Sequence, residues 1–195
     1  MQLSIVTLGH VHEQDITALT PYCTRIEQLV LDINPRDPLT QHRAEFNRAI
    51  DASTNDWILI VRERETAGDA LAKEIIDAAT TANAWGFRIR TTPMYRGKPL
   101  TLPAGEGEIR LLHRRHYLKR ADDVAVQGTV VRLNNTFHAI TFESADAHRD
   151  YLAKSFRRRS TVIRALIFAR DVIATRTFDA NTLRYIWTEA AFAKP

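Results

Sequence analysis

The residues best placed to do chemistry stand at the end of one apolar run. Trp57-Ile58-Leu59-Ile60-Val61 is unbroken, rich in β-branched residues and followed at once by Arg62-Glu63-Arg64-Glu65. Such a run predicts a strand buried on both faces. In an open α/β sheet, ligands bind in the crevice at the carboxyl ends of the strands. Four charges there are a site candidate by position alone. An arginine brings positive charge and a planar donor fork suited to phosphate or carboxylate. If the strand continues, Arg62 and Arg64 share one side and Glu63 and Glu65 the other. Asp122 and Asp123 are a second carboxylate pair, of a kind that also occurs in plain solvated turns. Two histidine pairs, His10-Val11-His12 and His113-x-x-His116, come with no obvious third ligand, so no metal site is expected from them.

The elements that position these groups follow from periodicity. Leu3 to Leu8 reads as a first buried strand, and Arg25 to Ile33 holds a second, Gln28-Leu29-Val30-Leu31, which ends at Asp32. Asn34-Pro35-Arg36-Asp37-Pro38 is a loop with strong turn chemistry. Phe46, Ala49, Ile50 and Ser53 predict an amphipathic helix over 42–53. Thr66 with Asp69 suggests a helix N-cap, and Leu71, Ile75, Ala78 and Ala82 supply its stripe. Phe87-Arg88-Ile89-Arg90 alternates, which predicts a half-buried antiparallel strand. Arg96-Gly97 and Asn134-Asn135 are hairpin-turn candidates. From Ser144 onward the pattern is helical, with Val162, Leu166, Ala169 and Ile173 on one stripe. The expectation is one α/β domain over residues 1–195: a mainly parallel sheet in 1–85, a β-rich stretch in 86–142 and a helical tail in 143–195.

Residues 46–65 resemble a stretch of the family-2 glycosyltransferases of the GT-A fold, notably the small enzymes of lipopolysaccharide-core and surface-glycan synthesis. Asn47, Ala49, Ile50, Asp56 and Trp57 fall in step with that family, and Arg62-Glu63-Arg64-Glu65 occupies the place of its Asp-Ala-Asp-Glu motif. Tyr95-Arg96-Gly97-Lys98, Ile109 to Arg115, Val124 to Gly128 with Leu133 and His138, and Tyr151 with Lys154 and Arg157 to Arg159 resemble later segments in the same order. The chain departs in two respects. Both motif aspartates are arginine, and a strand–helix unit is missing after the second strand.

The resemblance implies a GT-A-like domain that takes a nucleotide-sugar and a glycan or lipid-linked acceptor. Thr7 and Asp32 would lie on the nucleotide side, while Arg110 and His138 would lie on the acceptor side. Arg62 and Arg64 would contact the phosphates in place of carboxylates and cation, with no metal and no other cofactor. Their alternative is pairing with Glu63, Glu65 or neighbouring acids. The family's catalytic His-Glu pair aligns with Ala121 and Asp122, so Asp122 is the candidate base for the acceptor hydroxyl, with Asp123 second. A non-catalytic relative that binds a glycan, a phosphorylated ligand or a partner protein is the other reading.

Composition narrows the classes. The chain has 195 residues, 45% hydrophobic, with 27 basic residues of which 22 are arginine, and a net charge of +4. That size supports one full core, and the arginine bias suits phosphorylated ligands or an anionic surface, or simply a GC-rich genome that favours arginine codons. Nucleic acid is not an expected partner, because aromatic residues do not interleave with the basic runs. The single cysteine, Cys23, excludes an intrachain disulfide and a cysteine zinc site. No leader and no span of about 20 apolar residues is visible. The expected location is cytoplasmic, with peripheral contact at the inner membrane face through the basic helix bearing Lys154, Arg157 to Arg159, Arg164 and Arg170.

Overall fold

The computed structural model describes residues 1–33, 39–81, 83–101, 105–119, 123–142, 148, 168–169, 171–172 and 179–190. Strand β1 (Gln2–Leu8) lies between β2 (Arg25–Leu31) and β3 (Trp57–Arg62), and both pairings are parallel. Alternation along the strands sorts their side chains between two cores. Leu3 and Ile5 of β1 with Leu59 and Val61 of β3 pack under helix α3 (Asp69–Thr81). Val6, Leu8, Ile58 and Ile60 pack under α2 (Arg43–Ala52), which contributes Phe46, Ala49 and Ile50. Burial on both faces is what the unbroken apolar run of β3 demands, and β1 shares it with Ser4 and Thr7 buried among its apolar residues. A short α1 (Glu13–Ile16) and a 3-10 turn at Thr17–Tyr22 connect β1 to β2.

The remaining strands are β4 (Glu65–Thr66), β5 (Gly86–Tyr95), β6 (Lys98–Pro99), β7 (Glu108–His113) and β8 (Val130–Phe142). The sheet runs β2-β1-β3-β7-β5-β8-β4, with β6 on β5. β2, β1 and β3 are parallel while β7 is antiparallel to both β3 and β5, so the sheet is mixed. The antiparallel character expected from Phe87 to Arg90 is present, with Phe87 and Ile89 buried. Residues 1–91 with 105–138 form one compact unit, and 92–104 with 139–195 a second. Described in the second unit are the β6 hairpin, His148 and helix α4 (Ala180–Ala190), where buried His148 meets Glu189 at 2.7 Å and stacks on Tyr185.

Four expectations need correction. β2 begins at Arg25 and ends at Leu31, and it is a sheet edge rather than a buried strand, with Val30 59% exposed. Thr66 belongs to β4, and the helix starts only at Asp69. Arg96-Gly97 does form a tight hairpin, both residues having positive φ (55° and 72°) as a primed turn requires. Asn134-Asn135 does not turn at all but lies inside β8. The cause is distant in sequence. Glu74 of α3 accepts the backbone N–H of Asn134 (2.7 Å) and of Asn135 (2.8 Å), together with both side-chain amides. The stripe of helix 42–53 was expected to include Ser53, which instead ends that helix, its hydroxyl on Ala49 O at 3.0 Å.

That arrangement has a pH signature. Desolvation raises the Glu74 carboxyl, but the N–H groups of Asn134 and Asn135 outweigh it, and the group sits below its ordinary value. A depressed carboxyl contributes stability above the unfolded value, and that contribution is lost as pH falls through the folded value. Glu74→Gln is expected to cost about 1 kcal/mol near neutrality. Urea denaturation at neutral and at strongly acidic pH checks this, because the gap between variant and parent must shrink in acid.

Candidate functional site

The carboxyl ends of β2, β1 and β3 meet on one side of the sheet. Leu8 pairs with both Leu31 and Arg62, Gly9 N–H donates to Leu31 O at 3.0 Å, and Glu63 N–H donates to Leu8 O at 2.9 Å. Thr7, Asp32, Arg62 and Arg64 are therefore gathered at this end. Thr7 is fully buried and its hydroxyl has no hydrogen-bond partner, whereas Asp32 is exposed just past β2.

β3 does not continue past Arg62, so the expected alternation of the charge cluster fails. Glu63 and Arg64 form a turn in which Arg64 takes φ 64°, a left-handed conformation uncommon outside glycine. The turn folds Glu65 back into the protein. Its carboxylate accepts Arg62 N–H (2.8 Å), Thr91 Oγ1 (3.0 Å) and two bonds from Arg110, at 2.9 and 3.2 Å. Glu65 and Arg110 side chains are each only 4% exposed. Arg62 donates to Glu108 Oε2 at 2.9 Å, and Arg110 Nε lies 3.1 Å from the same oxygen without hydrogen-bond alignment. Burial works against the Glu108 carboxylate, yet Arg110 and Arg62 together hold its carboxyl below the ordinary value. Two guanidinium groups are thus matched by two carboxylates. Arg64 differs: it is 59% exposed, with Glu63 Oε1 3.8 Å away.

Of the residues expected on the acceptor side, Arg110 is the buried partner of Glu65 and His138 is exposed on β8. Asp123 is exposed and uses its carboxylate to cap its own neighbour, Val124 N–H, at 2.7 Å. Asp122 lies outside the described residues, as do Lys154, Arg157 to Arg159, Arg164 and Arg170, for which a basic helix was expected. The segment leading to Asp122 is anchored on α2. Tyr117 OH donates to Asn47 Oδ1 at 2.8 Å, and Lys119 Nζ reaches Asp51 at 2.5 Å. Among the described residues no three His, Cys, Asp or Glu side chains form a metal cluster, and no helix is long and apolar enough to cross a membrane.

Sequence reasoning missed two features. Glu65 is the hub of the buried network, and only the turn at Arg64 reveals it. The other is an aromatic and histidine cluster at the opposite end of the sheet, where His113 packs edge-on against Trp57 and Trp85, and His116 stacks on Trp85. Burial pushes His113 below its ordinary value, opposed by Asp56 and reinforced by His116, Arg115 and Arg114.

No family model matches the chain, and no curated protein matches it. Among solved structures it is similar to S. aureus TarS 1-349, at 11% identity and a TM-score of 0.42, over 97% of this chain and 71% of that one. The class defined by the structure itself is an α/β protein with a parallel three-strand nucleus and an antiparallel continuation.

Proposed function

We propose that this chain is a glycosyltransferase-like protein, related to the family-2 GT-A enzymes, that binds a nucleotide-activated sugar at the carboxyl ends of β1, β2 and β3 and serves a surface-glycan or lipid-linked acceptor. The observation that carries the reading is the gathering of Thr7, Asp32 and the exposed Arg64 at the end of three adjacent parallel strands, where open α/β sheets hold ligands. Arg64 is the group that meets the diphosphate, as a metal-free source of positive charge. Arg62 takes a positioning role through Glu108. Asp122 accepts the acceptor proton, and the basic C-terminal segment rests on an anionic membrane surface.

A second reading, a non-catalytic relative, is favoured by one observation. Beside the resembled metal motif, Arg62 and Arg110 are paired with the carboxylates of Glu108 and Glu65. A thermal-shift screen of nucleoside diphosphates and their sugars separates the two. The transferase reading expects at least one nucleotide to raise the midpoint, and a flat response across the whole series selects the non-catalytic one.

Manganese should not change the outcome. Glu65 is buried on Arg110, and the neighbouring arginines repel a cation, so calorimetry is expected to show no micromolar manganese binding at residues 62–65. Binding that disappears in Glu63→Gln or Glu65→Gln contradicts this.

A further inference from the structure

We infer that Trp85 and the groups around it form a separate binding site, an aromatic platform for the flat apolar face of a neutral pyranoside. It lies at the sheet end away from the proposed nucleotide site. Trp57 opens β3 and pairs with His113, which closes β7, so the cluster is separated from Arg62 by a six-residue strand, roughly 17 Å.

The platform is fixed before any ligand arrives. His116 lies flat on Trp85, centroids 3.9 Å apart and planes 8° from parallel, while His113 meets the indole edge-on at 5.3 Å. Trp85 N–H donates to Thr129 O (3.0 Å), His113 N–H to Trp85 O (2.9 Å) and Gln127 N–H to His116 O (2.7 Å). Gly128, at φ 109°, has no room for a side chain, since a Cβ there would stand 2.6 Å from Trp85 Cδ1. Single exposed apolar side chains are ordinary. This one is clamped by His116, His113 and Gly128 and is still 38% exposed. A group already immobilised loses little further freedom when it binds.

The surrounding charges select the ligand. Single-stranded nucleic acid also stacks on aromatic rings, but it needs an unmatched basic groove. Among the described residues, Arg115 is matched by Asp56 at 3.5 Å and Lys119 by Asp51 at 2.5 Å, while the guanidinium of Arg114 donates to the Ser53 carbonyl. A balanced set of donors and acceptors around an apolar face suits a ring that is apolar on its flat side and hydroxylated at its rim. The negative face of the indole attracts the C–H groups of an all-equatorial pyranose. Arg115 and Asp56, both exposed, are the groups for its hydroxyls. This site does not depend on the nucleotide reading.

Saturation-transfer NMR on the full chain tests it, with methyl β-D-glucopyranoside, cellobiose and chitobiose as probes and a short oligothymidine as the rival. At least one saccharide should bind in the millimolar range. Trp85→Ala should abolish that signal, Trp85→Phe should weaken it, and Arg115→Ala should lower affinity severalfold, with nucleoside-diphosphate binding unchanged in all three. Should Trp85→Ala not fold, the other two variants decide. The inference is overturned if the folded wild type binds none of the saccharides, if oligothymidine binds in their place, or if saccharide affinity survives these substitutions unchanged.

Discussion

Replacing Arg110 with alanine is expected to cost the fold about 3–5 kcal/mol, the largest stability loss foreseen for any single polar substitution in this chain. Arg110 and Glu65 are both 4% exposed and joined by two hydrogen bonds. Removing the guanidinium leaves the Glu65 carboxylate buried, with only Arg62 N–H and Thr91 for partners. The loss therefore reflects an uncompensated buried charge more than the worth of the pair. Removing both charges should recover much of it, so Arg110→Met with Glu65→Leu should be clearly more stable than Arg110→Ala alone. Urea denaturation with an unchanged m-value reads the effect. A single variant within about 1 kcal/mol of the parent would mean that solvent reaches the pair.

The second large effect is on turnover. On the transferase reading, Asp122→Asn should lower the rate by about 10²–10⁴-fold, because the amide keeps the shape but cannot accept the acceptor proton. Nucleoside-diphosphate affinity should be untouched. Arg64→Ala should do the reverse first, weakening that affinity by about 1.5–3 kcal/mol for a charge-assisted contact. Single-turnover assays with the nucleotide-sugar that binds, set beside titrations of both variants, separate the two roles. Equal loss of affinity in both variants would deny Asp122 a catalytic part.

Much of the frame was legible in the sequence. The runs 3–8 and 57–61 are buried on both faces: 57–61 is five apolar residues in a row and 3–8 is apolar apart from the small Ser4 and Thr7, so β1 and β3 were readable. Phe46, Ala49 and Ile50 of α2 and Leu71, Ile75 and Ala78 of α3 point into the two cores as their spacing requires, while Ala82 of the expected stripe lies outside the described residues. Arg96-Gly97 was readable because its left-handed turn is a local demand. What escaped was decided at a distance. Asn134-Asn135 has turn chemistry, but Glu74, sixty residues earlier, binds both N–H groups and holds the pair inside a strand. The cluster at 62–65 looked like a continuing strand, because nothing local announces that Arg64 will adopt a positive φ. That one backbone choice sends Glu65 inward to Arg110, forty-five residues on. β2 has an apolar centre, yet among the described residues no strand pairs with it on its outer side, and Val30 is exposed.

The central claim is that Arg64, at the carboxyl ends of the parallel strands, receives a nucleoside diphosphate without a metal. Calorimetric titration of the wild type with uridine, guanosine and cytidine diphosphates, run once with manganese and once with chelator, tests it most directly. At least one of the three should bind with the same affinity in both conditions, and Arg64→Ala should weaken it. Failure of all three to bind the folded wild type, or binding that appears only with manganese, would contradict it.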